Sequence, residues 1–281
     1  MGEYAKDVLV ETDWVAEHLD DDSIRIVEVD ENPALYAEAH ILGAIGFDWR
    51  ADLQDQVKRD FLRPEEFGTL MGGRGISNDH TVVLYGDRNN WFAAYTYWYF
   101  LYYGHDKVRL MNGPREKWIA EGRETTIEVP SYPKATFEAT APAESIRARR
   151  EEVLEALNQD TRLVDVRSPQ EYSGELIAMA GYEQEGAQRS GHIPGAISVP
   201  WAQAVNEDGT FKSVDDLREL YTSKGVIEDG TPVIAYCRIG ERSAHTWFVL
   251  HELLGIDDVE NYDGSWTEWG NLVDVPIEKD V

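Results

Sequence analysis

The sequence predicts an α/β protein built from two tandem units, each a parallel sheet flanked by helices on both faces. Short apolar runs, such as Thr81–Tyr85 and residues 232–236, alternate with helical stretches, which is the pattern of parallel strands buried on both faces. A series of motifs also occurs twice, offset by about 137 residues near the first strand and by about 151 residues later. Loop insertions in the second copy explain why the offset grows along the chain. The repeated order of the motifs therefore indicates a tandem duplication.

Length and linker composition predict where the two units meet. At 281 residues, the chain can form two domains of ordinary size. The segment that contains Pro130, Pro133 and Pro142 has little periodicity, which is typical of an extended linker. We therefore predict an N-terminal domain, a linker and a C-terminal domain over residues 1–123, 124–144 and 145–281.

Periodicity and helix boundary signals predict the elements of the first unit. A strand and a helix are predicted within residues 8–19, with Thr12 as part of the helix cap. The aromatic residues 91–103 predict a helix buried on all sides. Further strands are predicted at 24–29, 81–85 and 108–111, a turn at 40–45, and further helices from residue 64 and over 113–122.

The second unit repeats these elements in the same order. The matched segments are 162–166, 192–197, 232–236 and 262–269, which correspond to 26–29, 40–45, 82–86 and 111–118. His40 and His192 occupy the same turn in both units, so we predict structural roles for both. The first unit has Gly86 or Asp87 where the second has Cys237, so we predict that the first unit is catalytically silent.

The stretch over residues 235–243 carries the candidate chemistry. The buried strand ends at Cys237, the only cysteine in the chain, and a helix is predicted over residues 243–254. The loop between them holds Arg238, Gly240 and Arg242. We predict an anion-binding cradle formed by loop N–H groups, a helix N-terminus and guanidinium groups. Such a cradle lowers the thiol pKa and favours the thiolate. The alternative is an inert structural cysteine at a strand end.

The loop Cys-Arg-Ile-Gly-Glu-Arg-Ser, residues 237–243, resembles the active-site loop of the rhodaneses, the thiosulfate sulfurtransferases. The resemblance to two-domain members of that family covers nearly the whole chain. It implies that Cys237 takes a sulfane sulfur from a donor, holds it as a persulfide and passes it to a thiophilic acceptor such as cyanide or a thiol. Cys237 and Arg242 enclose four residues, a shorter loop than in phosphatases of the same fold, so phosphatase or arsenate reductase activity is the less favoured hypothesis.

The resemblance also suggests roles within the loop. Cys237 is the candidate nucleophile, and Arg238 and Arg242 are candidates to bind the sulfonate end of the donor, because guanidinium groups pair with oxyanions. The alternative for Arg242 is to brace the loop through loop carbonyls or Asp165. Ser243 either caps the following helix or donates to the persulfide. The predicted cradle consists of Ile239, Gly240, Glu241 and Ser243, with Gly240 permitting a positive φ.

Four residues outside the loop complete the predicted site. The resemblance implies that Asp165 supports the active loop, and Trp266 is predicted to line the pocket or pack beside it. Arg167 and Arg189 are further candidates for donor binding. Arg189 lies in an insertion, residues 173–191, which the first unit lacks, and long insertions near a site often shape its entrance.

Two features of the resemblance bear on the donor. Glu171 stands where some thiosulfate-specific rhodaneses carry an arginine, which argues against thiosulfate. Mercaptopyruvate sulfurtransferases have a different loop, Cys-Gly-Ser/Thr-Gly, so the pair Cys237 and Arg238 favours thiosulfate. The alternatives are a 3-mercaptopyruvate sulfurtransferase and a non-enzymatic rhodanese protein that carries sulfur or binds a partner.

Composition limits the expected partners and location. The chain has 53 acidic and 26 basic residues, a net charge of −27, and such a surface repels nucleic acid and anionic membranes. Either adaptation to high salt or an extreme of ordinary acidity explains this charge. A single cysteine and a start without a basic, apolar signal predict a reducing cytoplasm. No cofactor and no metal are predicted, because His245 and His251 are poorly spaced for a shared metal.

Overall fold

The structure, a computed structural model, describes residues 2–228 and 230–280. Its first unit consists of Val8–Ala143 with Val205–Phe211, and its second unit of the segment up to Asp7, Glu144–Ala204 and the chain from Lys212 onward. Residues 124–143 contain no helix and belong to the first unit. The domain bounds derived from the sequence remain predictions.

The first unit contains five strands and five α-helices among the described residues. The strands are β1 (Leu9–Val10), β2 (Ile24–Glu28), β3 (Ile45–Gly46), β4 (Thr81–Tyr85) and β5 (Val108–Met111). The helices are α1 (Thr12–Glu17), α2 (Ala34–Glu38), α3 (Pro64–Gly73), α4 (Trp91–Tyr102) and α5 (Arg115–Ala120). All strand pairs are parallel, in the order β1-β5-β4-β2-β3.

The second unit repeats this architecture in the described residues. Its strands are β6 (Arg147–Ala148), β7 (Arg162–Asp165), β8 (Ile197–Ser198), β9 (Val233–Tyr236) and β10 (Val259–Tyr262). Its α-helices are α6 (Arg150–Ala156), α7 (Pro169–Ser173), α8 (Val214–Ser223), α9 (Glu241–Trp247) and α10 (Ser265–Trp269). The parallel order β6-β10-β9-β7-β8 matches that of the first unit. The predicted tandem α/β architecture, with helices flanking both sheets, is therefore confirmed.

The core of the first unit is organised around α4. Every residue of this helix except Leu101 is buried, and Phe92 stacks on Trp49 with the ring centroids 4.4 Å apart. A helix that is apolar all round is expected to lie inside a protein, and α4 fits the predicted core position. None of the helices within residues 2–228 and 230–280 combines the length and the apolar character needed to cross a bilayer.

The two histidines of the repeated turn have the same surroundings in both units. His40 Nδ1 lies 2.7 Å from the carbonyl oxygen of Tyr36, and its ring stacks on that tyrosine at 3.9 Å. His192 Nδ1 lies 2.9 Å from the carbonyl oxygen of Tyr172, and the two rings stack at 3.7 Å. Both imidazoles are buried. These contacts support the structural roles predicted for the pair.

Three predicted helix starts differ from the structure, the first being that of α5, which begins at Arg115 rather than at residue 113. The helix after Cys237 begins at Glu241 rather than at Ser243, because Gly240 takes φ 102° and forms the N-cap. It continues as a π-helix over Phe248–Leu253. In the first unit, the N-cap of α1 is Glu11, and it makes no side-chain capping bond, so the predicted cap at Thr12 is wrong.

Candidate active site around Cys237

Cys237 lies at the carboxyl end of β9, the central strand of the second sheet. The last residue of β9 is in register with the last residues of β7 and β10, so the ends of three strands meet at the cysteine. The Cys237 amide donates to Ser265 Oγ at 3.0 Å, and its carbonyl accepts from the Trp266 amide at 3.1 Å. Carboxyl ends of parallel strands are the usual location of ligand sites in such folds.

The sulfur of Cys237 is enclosed by polar groups of its own loop. The Gly240 amide donates to Sγ at 3.2 Å, the thiol donates to Glu241 Oε2 at 3.3 Å, and the Ser243 hydroxyl lies 3.5 Å from Sγ. Cys237 has no exposed surface. A thiol in such surroundings differs from an inert core cysteine, which would be packed against apolar side chains.

Gly240 allows the loop to turn back on the sulfur. With φ 102°, it lies in the left-handed region, and an added Cβ would come within 2.8 Å of the Asp263 backbone. Asn261 Nδ2 donates to the Gly240 carbonyl at 3.1 Å, and the Ser243 hydroxyl donates to Asn261 Oδ1 at 2.6 Å. Ser243 therefore braces the loop next to the sulfur. The alternative in which Ser243 caps the following helix is wrong because Gly240 is the N-cap.

The pKa of the Cys237 thiol is raised above its ordinary value. Burial is the largest cause, since a thiolate without water is unfavourable, and the Glu241 carboxylate acts in the same direction. Arg242 and Ser243 lower the pKa without overcoming these two effects. The predicted depression of the thiol pKa is therefore wrong for the resting site, and the thiol keeps its proton next to Glu241.

Glu241→Gln is expected to lower the pKa of the Cys237 thiol, because it removes a negative charge adjacent to the sulfur. The inflection in the pH dependence of iodoacetamide alkylation should therefore move to lower pH. Glu219→Gln, which removes an exposed charge on α8, serves as the control and should leave the inflection in place. An inflection that stays or rises in Glu241→Gln would contradict this account.

Arg242 is fully buried and forms a two-pronged ion pair with Glu171. Its Nη1 and Nη2 donate to the two carboxylate oxygens at 3.0 and 3.1 Å. Burial alone would raise the pKa of Glu171, but the Arg242 charge and hydrogen bonds outweigh it and bring the value to about 2. The structure pairs Arg242 with Glu171 rather than with Asp165 or a loop carbonyl, and this contact favours the bracing alternative.

Arg238 is also buried and paired with acidic groups. Its Nη2 donates to Glu241 Oε1 at 3.0 Å, its Nε lies 2.9 Å from Glu185 Oε2, and its guanidinium lies 4.0 Å from the centre of the Tyr182 ring. Three carboxylates, from Glu171, Glu185 and Glu241, thus contact two guanidinium groups. The expected cationic cradle is neutralised by carboxylates in the resting state.

The other two arginines predicted to bind the donor, Arg167 and Arg189, are both paired with groups of the protein. Arg167 is buried, donates to Asp165 Oδ1 at 3.0 Å and to the Gly191 carbonyl at 2.7 Å, and lies 4.4 Å from the centre of the Trp266 ring. Arg189 donates to four carbonyls at the end of α10 and beyond, namely those of Trp269, Gly270, Leu272 and Val275. Both guanidinium groups therefore have protein partners, and Ile239 is buried in the loop.

The structure adds four residues that sequence reasoning did not assign to the site: Glu171, Glu185, Asn261 and Ser265. Each approaches the loop from a distant part of the chain. The strongly acidic composition, with 53 acidic residues, was a signal that buried arginines would find carboxylate partners. No group of three metal-ligating side chains is present within residues 2–228 and 230–280.

Comparisons with known proteins indicate the family to which the chain is similar. A family model described as "Rhodanese-like domain" matches residues 11–121 and 149–272. A Haloferax volcanii protein, provisionally named thiosulfate sulfurtransferase, is 58% identical over 282 residues, 99% of this chain and 98% of that protein. Sulfur carrier protein TtuD from Thermus thermophilus is 59% identical over 283 residues, 99% of each chain. The crystal structure of SseA from Escherichia coli, described as a 3-mercaptopyruvate sulfotransferase, has a TM-score of 0.77 and 25% identity, covering 92% of this chain and 98% of SseA.

Proposed function

Because this chain belongs to the rhodanese-like family and resembles named sulfurtransferases over its full length, we propose that it transfers the sulfane sulfur of thiosulfate to cyanide or a thiol. The carrier is a persulfide on Cys237. The observation that supports this proposal best is the enclosure of the only thiol by the Gly240 amide, the Glu241 carboxylate and the Ser243 hydroxyl. The amide and the hydroxyl favour the anionic sulfur, and the carboxylate is placed to take up its proton.

The first half-reaction forms the persulfide. Glu241 accepts the thiol proton along the 3.3 Å hydrogen bond, and the sulfur of Cys237 attacks the outer sulfur of thiosulfate. A new S–S bond forms, the S–S bond of thiosulfate breaks, and its electron pair leaves with sulfite. The Gly240 amide, 3.2 Å from Sγ, stabilises the negative charge that Sγ carries once the thiol has lost its proton.

The second half-reaction restores the enzyme. Cyanide or a thiolate attacks the outer sulfur of the persulfide, and the Cys237 thiolate leaves with the electron pair of the broken S–S bond. The products are thiocyanate or a new persulfide, and the Cys237 thiolate regains from Glu241 the proton that this carboxylate accepted in the first half-reaction. The reaction uses no redox partner, because one sulfur atom moves between two nucleophiles.

The choice of thiosulfate as donor rests on Arg238. This residue follows Cys237 directly, and a guanidinium group suits the sulfonate end of thiosulfate. Transfer from 3-mercaptopyruvate is the alternative donor chemistry. A role as a sulfur carrier is a second candidate function, because a relative of 59% identity is named a sulfur carrier protein.

Intact-mass measurement combined with steady-state kinetics tests the proposal. Thiosulfate should make the protein heavier by about 32 Da, the mass of one sulfur atom, and cyanide should remove this sulfur as thiocyanate in repeated turnovers. We expect kcat/KM for thiosulfate to exceed that for 3-mercaptopyruvate by at least about tenfold. A preference for mercaptopyruvate would reject the donor, and loading without turnover on cyanide or small thiols would favour the carrier function.

A further inference from the structure

The insertion over residues 173–191 covers the guanidinium group next to the thiol. Within it, Glu183–Glu185 form a single 3₁₀ turn, which places Glu185 Oε2 2.9 Å from Arg238 Nε. The Tyr182 ring covers the same guanidinium at 4.0 Å. Arg238 is 3% exposed, and its Nη1 has no hydrogen-bond partner within the part of the chain that the structure describes.

The two carboxylates occupy the Nε and Nη2 sides of the Arg238 guanidinium, so a donor oxyanion finds only Nη1 without a partner in the described part of the chain. A donor that places its outer sulfur against Cys237 must bring its oxyanion end close to the next residue, whose guanidinium is already in contact with Glu185 and Glu241. Glu241 is fixed in α9 and also accepts from the thiol. Glu185 belongs to the insertion, so it is the carboxylate that can leave without disturbing the loop.

We propose that Glu185 is a specificity-determining residue: it occupies the oxyanion position at Arg238 until the sulfonate end of an anionic sulfur donor displaces it. This inference rests on the proposed function and refines it. A sulfonate that replaces the Glu185 carboxylate keeps the buried guanidinium paired, so the exchange avoids the cost of an isolated buried charge. A donor without an oxyanion offers no such replacement and leaves Glu185 in place.

The hydrogen bonds of the insertion are compatible with this displacement. The backbone bonds around Glu185 are local and run from Tyr182 to Met179, from Glu185 to Tyr182 and from Gly186 to Glu183. The Glu185 carbonyl also accepts from Thr267 Oγ1 at 3.2 Å. The insertion is tied to the rest of its unit at Met179, Gln188 and Arg189, so the displacement requires only the short turn between these anchors to shift.

The expected gain in donor affinity follows from competition between the Glu185 carboxylate and the donor for Arg238. When a binding-competent state is only fractionally populated, the apparent dissociation constant increases by the inverse of that fraction. If Glu185 leaves Arg238 in about a tenth of the molecules, its removal should tighten donor binding by up to about tenfold. Donor binding should improve with little change in kcat, because Glu185 does not contact the sulfur.

Calorimetric titration of thiosulfate into the Cys237→Ser protein, with and without Glu185→Gln, tests this proposal without requiring turnover. We expect the added Glu185→Gln to lower the dissociation constant about three- to tenfold. Glu183→Gln, which removes an exposed charge of the same insertion, is the matched control and should change it less than twofold. In an Arg238→Gln background, Glu185→Gln should give no gain.

Unchanged or weaker binding in Glu185→Gln would overturn the proposal, as would an equal gain in the Glu183→Gln control. A gain that persists without Arg238 would also overturn it, because the competition would then not be for that guanidinium. The failure of the proposed function has a different signature. It appears as the absence of the added sulfur mass in the unmodified protein treated with thiosulfate.

Discussion

Cys237→Ser is expected to reduce the formation of thiocyanate from thiosulfate and cyanide by about 10⁴-fold or more, in line with the loss of a nucleophile in other enzymes. The serine hydroxyl has no accessible anion near neutral pH and does not form the S–S bond on which the transfer depends. Intact-mass spectra should show no gain of about 32 Da after thiosulfate treatment. Both measurements report on the same atom, Sγ, one through turnover and one through the intermediate.

The substitution should leave the fold and the donor site in place. The hydroxyl of serine can donate to Glu241 and accept from the Gly240 amide, as the thiol does now. We therefore expect an unchanged circular dichroism spectrum and retained binding of thiosulfate. Substantial transfer activity in this variant would show that the sulfur travels by another route, since no second cysteine exists in the chain.

The sequence was sufficient to predict the architecture because its signals are local and occur twice. The strand run that became β9, the turn around His192 and the helix after the loop each depend on residues close together in the chain. The duplicate turn around His40 offered an independent copy of the same information. The position of Cys237 at a strand end followed directly from these local patterns, and the register of β9 with β7 and β10 places it where the strand ends meet.

The electrostatics of the site could not be predicted in the same way. Arg242 was visible in the loop, but its partner Glu171 lies 71 residues away in sequence, and only the folded chain brings the two together. The same holds for Arg238 and Glu185. Glu241 was predicted as a part of the cradle, yet its carboxylate faces the thiol. A thiol pKa depends on the balance of burial and charge, and the full burial of the sulfur together with the Glu241 carboxylate reversed the predicted direction.

This pairing changes how the family resemblance bears on the donor. The resemblance made both arginines of the loop candidates to bind the donor, with bracing as the alternative for Arg242. In the structure, Arg242 braces the loop through Glu171, and Arg238 is shared between Glu241 and Glu185. Arg238 alone can then exchange a carboxylate for a donor oxyanion. Donor selectivity should therefore depend more on Arg238 and the insertion than on Arg242.

Glu171→Gln is expected to have the largest effect on stability, a loss of about 3–5 kcal/mol in the free energy of unfolding. The side chains of Glu171 and Arg242 are 1% and 2% exposed, so the substitution leaves a buried guanidinium without its two-pronged partner. Urea unfolding at fixed salt measures the loss, and hydrogen exchange of the α9 amides assigns it to the second unit. Glu66→Gln, which breaks an exposed pair with Arg63, is the control and should leave the midpoint unchanged.

The double variant Glu171→Met with Arg242→Met distinguishes the contribution of the ion pair from that of the space its two side chains fill. Well-packed apolar residues often replace a buried ion pair at little cost, so the double variant should recover most of the stability lost in Glu171→Gln.

The pH dependence of the free energy of unfolding in acid offers an independent test. The pKa of Glu171 is lowered from 4.5 to about 2 because Arg242 outweighs burial. Its contribution is therefore present above pH 4.5 and is lost as the pH falls through about 2.

Glu171→Gln should lack this part of the acid dependence. Equal acid dependence in the unmodified protein and in Glu171→Gln would show that the pair does not act as a unit. The same conclusion would follow if the double variant lost as much stability as the single variants Glu171→Met and Arg242→Met lose when their losses are added. Either result would also remove the reason for assigning Arg242 to bracing, because an arginine that does not depend on Glu171 would be available to bind the donor. The stability measurement on Glu171 thus tests the assignment of Arg242 to bracing.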